Sequence, residues 1–260
     1  MFLPSFLLPL TLLTTFQNSQ PSTYESSLEQ TAKTYRIEII HEAPTFPPKT
    51  THGAIEGKKA DRKSIERYTP LFVREFTLLP ASMIEKARLK RVVLCEQLSF
   101  AGQRRSAVPD FERDALYLEV SRGSRHSRYL AAVIHHEFFH MVDYRDDGQL
   151  YRDDAWSALN PSGFKYGNGG KNWQGDSKTT VFTDKYPGFL THYMTTGVEE
   201  DKAELFAHLI VNSEYVKDRA KTDAVLRAKV ARMKALLKSF CPDMNDEFWK
   251  KVEKVERPAG

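Results

Sequence analysis

Residues 129–142 are the strongest constraint on what this chain can fold into, because they are apolar around most of a helix yet carry three histidines and a glutamate. A helix that is apolar all round lies in a protein core, where ionisable groups are costly unless they are paired or bind a metal. His136 and His140 are four residues apart and therefore share one helical face. Their imidazoles can hold a Zn²⁺ ion, and Glu137 projects beside it as a proton acceptor for water. The alternative interpretation is a helix that exposes these groups by chance.

A catalytic zinc ion keeps three protein ligands and one open position, so a third ligand must come from elsewhere in the chain. The metzincin motif places Gly three and His six residues after its second histidine, but here those positions are Asp143 and Asp146. The better candidates are Glu200 and Glu204, one turn apart on a second, otherwise largely apolar helix. Carboxylates on such a helix need a cation or hydrogen-bond donors. Spacing alone leaves open which of the two binds the metal, and a surface helix with an acidic run is the alternative.

Two stretches of the sequence resemble the catalytic domain of anthrax lethal factor and related peptidases, which include the secreted Pro-Pro endopeptidases. They are HEFFHMVDY at residues 136–144 and YMTTGVEEDKAE at residues 193–204, and the resemblance spans residues 105–215. It implies a zincin-like domain of the gluzincin type that binds one Zn²⁺ ion. In this arrangement Glu200 is the third ligand, Glu204 hydrogen-bonds a ligand imidazole, and Tyr193 stabilises the oxyanion.

The activity that the resemblance implies is a zinc-dependent endopeptidase, in which an activated water attacks a peptide or protein substrate and Glu137 is the general base. Asp143 shares the face of the ligand histidines and is expected to orient an imidazole. In zincin-like folds the strand before the active-site helix offers its edge to an extended substrate. We therefore expect substrate binding at Leu116, Tyr117, Leu118 and Glu119. The alternative function is a zinc-binding, non-catalytic interaction domain of an exported protein.

The order of the predicted elements, strands first and helices later, indicates an α+β fold with a small mixed sheet and a mostly helical carboxyl-terminal part. Alternation of apolar residues predicts a half-exposed strand over residues 114–120. The other expectations are strands at 36–40 and 90–97, a helix over 61–79 kinked or split at Pro70, and loops at 44–58 and 102–111.

The amino-terminal 20 residues contain an apolar run that is too short to cross a bilayer but suits a secretory signal peptide. We therefore expect a secreted, periplasmic or cell-envelope protein, with a disordered amino terminus as the alternative. After the signal we expect a linker over residues 21–35 and one peptidase domain over 36–260. Within that domain the expected parts are a sheet region at 36–126, the active-site helix at 127–145, an insertion at 146–192 and a helical part at 193–260.

Charge and cysteine usage narrow the range of partners and sites. The formal net charge of +4 is spread over mixed acidic and basic residues without a basic block, so we expect no nucleic-acid partner. We also expect no stable membrane insertion, because no other segment is long and apolar enough. Cys95 and Cys241 lie in no metal-binding spacing, which excludes a thiolate zinc site. Whether they form a disulfide or stay as buried thiols is open at this stage.

Overall fold

A six-stranded mixed sheet and a set of helices form the part of the chain that the computed structural model describes. That part comprises residues 22–47, 49–122, 127–167, 169 and 181–257. The α+β class predicted from the sequence is confirmed. The expected signal segment at residues 1–20 lies outside the described residues.

The sheet is organised around one long strand, β3, which has partners on both sides. β3 pairs in parallel with β1 and β6 and antiparallel with β2 and β4, and β6 pairs antiparallel with β5. β5 therefore forms one border of the sheet, as its strand order β1-β3-β6-β5 shows. The strands are β1 (Glu38–Ile40), β2 (Ile55–Lys59), β3 (Arg91–Phe100), β4 (Gln103–Arg104), β5 (Ala107–Asp110) and β6 (Ala115–Glu119).

Two helices, α4 and α6, pack against each other in the main hydrophobic core. All residues of α6 are buried, and much of α4 is buried too, including Phe138 and Phe139. Charged side chains that these helices carry must therefore find partners inside the protein. The helices are α1 (Thr23–Tyr35), α2 (Arg62–Phe76), α3 (Ala81–Lys86), α4 (Ser127–Asp147), α5 (Asp154–Ser157), α6 (Val198–Val211), α7 (Ser213–Thr222), α8 (Ala224–Phe240) and α9 (Asp246–Glu253).

The prediction that the strand over residues 114–120 is half-exposed is wrong, because every residue of β6 is buried. Leu116 and Leu118 face the main core, as the alternation suggested. Ala115 and Tyr117 face a second, smaller apolar cluster, which Ile55 of β2 and others complete. The strand is buried on both faces because the chain between β1 and α2 covers the sheet on the side away from α4.

Several local predictions are corrected by the structure. The expected linker at residues 21–35 contains helix α1, which Ser22 begins with a capping box that includes Glu25. The expected loops at 44–58 and 102–111 contain strands β2, β4 and β5. Helix α2 runs through Pro70 without splitting.

Two further features bear on compartment and covalent structure. Among the described residues, no helix has the length and apolarity that a bilayer crossing requires. Cys95 and Cys241 are both free and buried, so the alternative of two buried thiols is the observed one.

Candidate active site

Helices α4 and α6 bring two imidazoles and a carboxylate together. His136 Nε2 lies 3.0 Å from Glu200 Oε2, and His140 Nε2 lies 3.1 Å from His136 Nε2 and 3.6 Å from Glu200 Oε2. Three ligand atoms bound at about 2.0–2.1 Å to a tetrahedral zinc ion lie roughly 3.3 Å from one another. The observed separations agree with that spacing to within a few tenths of an ångström. The three residues therefore form a donor set that fits zinc.

Glu204 lies behind His136 and holds its second ring nitrogen. Its Oε1 is 3.1 Å from His136 Nδ1, while Oε2 accepts a hydrogen bond from Thr191 Oγ1 at 3.2 Å. His208, one turn further along α6, places Nε2 3.4 Å from the same Oε2. Burial alone would raise the pKa of Glu204, but its contacts with His136 and His208 outweigh burial and lower it. An ionised carboxylate on Nδ1 directs the Nε2 lone pair of His136 toward the Glu200 side.

Glu137 and Tyr193 face the same cleft as the donor set. Burial raises the pKa of Glu137 above its ordinary value, and the neighbouring imidazoles oppose this rise. A carboxylate with a raised pKa is suited to accept a proton and then to release it. The pKa of Tyr193 is also raised, first by burial and then by the charges of Glu200 and Glu137. Its phenol therefore stays protonated and can donate a hydrogen bond.

Asp143 does not have the role expected from its position on the histidine face. Its Oδ1 accepts a hydrogen bond from Lys202 Nζ at 2.6 Å, and among the described residues no imidazole nitrogen bonds to it. Lys202 also reaches Asp153 Oδ2 at 3.4 Å. The buried Lys202 ammonium pairs with Asp143 because each group would otherwise be an uncompensated charge in the core. The Lys202 ammonium thus joins α6 to α4 and to the segment that precedes α5.

The expectation that residues Leu116–Glu119 present a free edge to the substrate is wrong, because β6 is paired on both sides, with β3 and with β5. Leu116, Tyr117 and Leu118 are buried inside the sheet. The Glu119 carboxylate accepts hydrogen bonds from the backbone N–H groups of Leu98 and Ser121 at 3.0 and 2.9 Å. These residues hold the sheet together behind the site.

Strand β5, which the sequence did not reveal, borders the cleft instead. The Glu119 N–H donates to the Ser106 carbonyl at 3.0 Å, so these two residues form a hydrogen-bonded antiparallel pair. The alternation of such pairs turns Val108 toward β6 and turns the backbone groups of Ala107 and Pro109 outward. Proline is tolerated at Pro109 because the missing N–H falls on the unpaired side.

The cleft has a volume of about 810 Å³ and two walls of different origin. One wall comes from β5 and its flanking residues, including Arg105 and Phe111. The other comes from the described part of the predicted insertion, and it includes Tyr151, whose residue surface is 69% exposed. Trp156 anchors this second wall, since its Nε1 donates to Asp201 Oδ2 on α6 at 2.8 Å.

Sequence reasoning missed several charged residues around the site. Asp201 is buried on α6 with Lys229 Nζ at 2.7 Å, and Glu199 lines the cleft beside the donor set. The signal was present, because residues 199–202 are all charged and lie on an otherwise apolar helix. Each of those charges needed a partner or a cavity. Arg105 carried no such signal, since it belongs to a polar stretch whose strands were not recognised.

A comparison with solved structures finds this fold in a protein from Bacteroides caccae ATCC 43185 described as "a putative zinc-binding metallo-peptidase". The two superpose with a TM-score of 0.51 over 90% of this chain and 94% of that chain, at 16% sequence identity. At such identity the likeness shows a shared fold. No protein-family model and no curated protein matches the sequence. The resemblance to the lethal factor family therefore stays a prediction.

Proposed function

We propose that the protein is a zinc-dependent endopeptidase. The observation that carries the proposal is the convergence of His136, His140 and Glu200 on one point in a cleft that also contains Glu137. The fold shared with a protein described as a metallo-peptidase supports the same class of activity. We propose export as well, on the basis of the apolar run within residues 1–20.

His136, His140 and Glu200 would hold the ion, and Glu204 would keep His136 in the tautomer that binds through Nε2. When bound, zinc polarises the scissile carbonyl and lowers the pKa of water. Glu137 accepts the proton of the attacking water and transfers it to the leaving nitrogen. Tyr193 donates a hydrogen bond to the oxygen on which negative charge develops. The outward backbone groups of β5 align an extended peptide along the cleft.

The test compares metal content and peptide hydrolysis in wild type and two variants. We expect Glu137→Gln to keep zinc and lose hydrolysis by at least roughly 100-fold, because the proton acceptor is removed while the donor set stays intact. His140→Ala should lose both zinc and hydrolysis, since one of three ligands is gone. Zinc content is measured by elemental mass spectrometry, and cleavage is measured on a mixed peptide library.

Matched controls are available away from the cleft. Glu85→Gln removes an exposed carboxylate on α3, and His41→Ala removes an imidazole near α1. Both variants should behave as wild type. A Glu137→Gln protein that still cleaves at the wild-type rate would exclude the mechanism. Zinc binding without hydrolysis in wild type would favour the non-catalytic alternative, although such a domain has no need of Glu137.

A further inference from the structure

The cleft contains an arginine that the proposed chemistry does not use. Arg105 lies between β4 and β5, on the wall that faces the donor set. Its backbone N–H donates to the Leu98 carbonyl at 2.9 Å, which fixes the start of the side chain on the sheet. Its Nη2 donates to Gln103 Oε1 at 3.1 Å. Among the described residues no carboxylate lies within ion-pair distance of this guanidinium.

The surroundings of Arg105 are those of the reaction centre. Partial burial lowers the pKa of the guanidinium, and the nearby carboxylates of Glu137 and Glu200 oppose this shift. In the proposed enzyme Glu200 binds the metal and Tyr193 stays a neutral phenol. The guanidinium remains charged in this setting, because its ordinary pKa is far above neutrality. A partly desolvated cation that faces the reacting groups without an ion-pair partner is suited to bind an anionic group of the substrate.

The second arginine of the cleft, Arg152, differs from Arg105 both in its ion pairing and in its exposure. Arg152 is bound by the Asp154 carboxylate through three contacts between 2.7 and 3.2 Å. Its side chain is 73% exposed, so it belongs to the rim. Within the described part of the lining, which contains no lysine, Arg105 is therefore the arginine free to bind an anion.

We propose that Arg105 selects substrates that carry a carboxylate close to the scissile bond. The inference rests on the proposed peptidase function and deepens it by naming the substrate class. A guanidinium binds a carboxylate through two parallel hydrogen bonds, which gives direction as well as charge. The carboxylate can come from an Asp or Glu side chain or from a free carboxyl terminus. In either case a neutral substrate leaves the partly buried guanidinium unpaired, and the cleft discriminates against it.

The experiment maps cleavage sites by mass spectrometry in three synthetic peptide libraries of random sequence. The first library has Asp, Glu and free carboxyl termini. The second replaces Asp and Glu by Asn and Gln but keeps the free termini. The third keeps Asp and Glu but has amidated termini. We expect wild type to favour sites with a nearby carboxylate by roughly 10–100-fold in kcat/KM. Loss of cleavage in the second library assigns the preference to side chains, and loss in the third assigns it to the terminus.

The variants separate binding of the carboxylate from a structural role. Arg105→Gln should lose the preference mainly through KM, Arg105→Lys should retain part of it, and Arg105→Glu should turn it toward Lys and Arg. The control Arg104→Gln removes the adjacent arginine of β4, which is exposed and lies outside the cleft lining, and it should leave the preference intact. An active wild type without a carboxylate preference, or an unchanged preference in Arg105→Gln, overturns the inference.

A peptide-binding measurement distinguishes failure of the proposed peptidase function from failure of the inference about Arg105. If the wild type cleaves none of the libraries, the peptidase proposal fails, and retention of the same peptides on immobilised zinc-loaded protein decides the role of Arg105. Retention that depends on peptide carboxylates and disappears in Arg105→Gln supports it. Retention that ignores carboxylates, or no retention at all, refutes it.

Discussion

At the scale of single residues, the charged side chains at the start of α6 have two separate tasks. Glu200 and Glu204 point toward the imidazoles of α4, while Asp201 and Lys202 point away from them, to partners elsewhere in the core. Consecutive positions of a helix point in different directions while positions four apart share a face, so neighbours in sequence need not share a site. The acidic run is therefore only partly a metal site, and the rest of it fixes the orientation of α6.

Removal of the Glu204 charge should weaken zinc binding without abolishing it. We expect Glu204→Gln to lower zinc affinity by roughly 10–100-fold, because a neutral amide makes the His136 imidazole less basic and orients it less firmly. Competition with a chromogenic chelator measures the affinity. Glu214→Gln, an exposed carboxylate on α7, is the control. Glu200→Gln should lose more affinity than Glu204→Gln, and the reverse order would exchange their assigned roles.

The donor set could be predicted from the sequence because the spacing of its residues is typical of a metal site on two helices. His136 and His140 share a face at four residues' separation, and two carboxylates one turn apart need compensation on an apolar helix. The partner of Asp143 could not be anticipated in this way. Lys202 lies 2.6 Å from it in space but in a distant part of the sequence, and only the packing of α4 on α6 brings the two together.

At the scale of elements, the long helices were predictable, whereas the surroundings of the strands were not. The pattern of β6 shows which residues share a face, but it does not show that β2 and its approach cover the second face. It also does not show that β5 occupies the border, because a four-residue strand containing Pro109 has little local pattern. Pairing between strands is a property of neighbours, so the position of the proposed substrate-binding edge required the three-dimensional structure.

The packing of α8 on α6 depends on a buried ion pair. Lys229 Nζ lies 2.7 Å from Asp201 Oδ2 and 3.0 Å from the Gly188 carbonyl oxygen, and both side chains are fully buried. We expect Lys229→Met to lower the free energy of unfolding by about 3–5 kcal/mol, because it leaves the Asp201 carboxylate without a counter-charge. Urea denaturation measures the change.

A double variant and a surface pair provide the comparison for this prediction. Asp201→Asn in the Lys229→Met background should recover part of the loss, because the buried charge is then removed as well. Lys221→Met breaks the exposed pair with Asp218 and should cost at most about 1 kcal/mol. If Lys229→Met and Lys221→Met lowered the free energy of unfolding equally, the buried pair of Lys229 with Asp201 would not be the cause of the loss.

At the scale of the whole molecule, the carboxyl-terminal end of the described chain is linked through Glu75 of α2 to the helix that carries the histidines. Arg257 donates to both oxygens of the Glu75 carboxylate on α2, at 2.8 to 3.2 Å. The other ligands of that carboxylate are Arg74 and His135, the residue before the first motif histidine. His135 thus belongs to a buried structural cluster on the face of α4 opposite the cleft.

The stability that Arg257 supplies should depend on pH in a defined direction. Burial alone would raise the pKa of Glu75, but its bonds with His135 and Arg257 outweigh burial and lower it. A lowered pKa stabilises the fold above the unfolded value of about 4.3, and this stabilisation is lost as the pH falls toward the folded value. We expect Arg257→Ala to lower the free energy of unfolding by about 3 kcal/mol near neutral pH.

Urea titrations of wild type and Arg257→Ala at several pH values test this expectation. The difference in the free energy of unfolding between wild type and Arg257→Ala should narrow by up to about 1.4 kcal/mol for each pH unit below about 4.3. Glu256→Ala removes the preceding charge and is the control. A difference that stays constant from neutral to acid conditions would show that Arg257 acts by packing rather than through the Glu75 charge.

The two walls of the cleft have a consequence for how such a protein can diversify. One wall comes from the chain before α4 and the other from the chain after it, while the donor set itself lies on α4 and α6. Either wall can accordingly be rebuilt without disturbing the helices that carry the donor set. Trp156 and Asp153 are the fixed points of the second wall, through Asp201 and Lys202. A grafted loop that keeps these two anchors would give the proposed active site a different substrate preference.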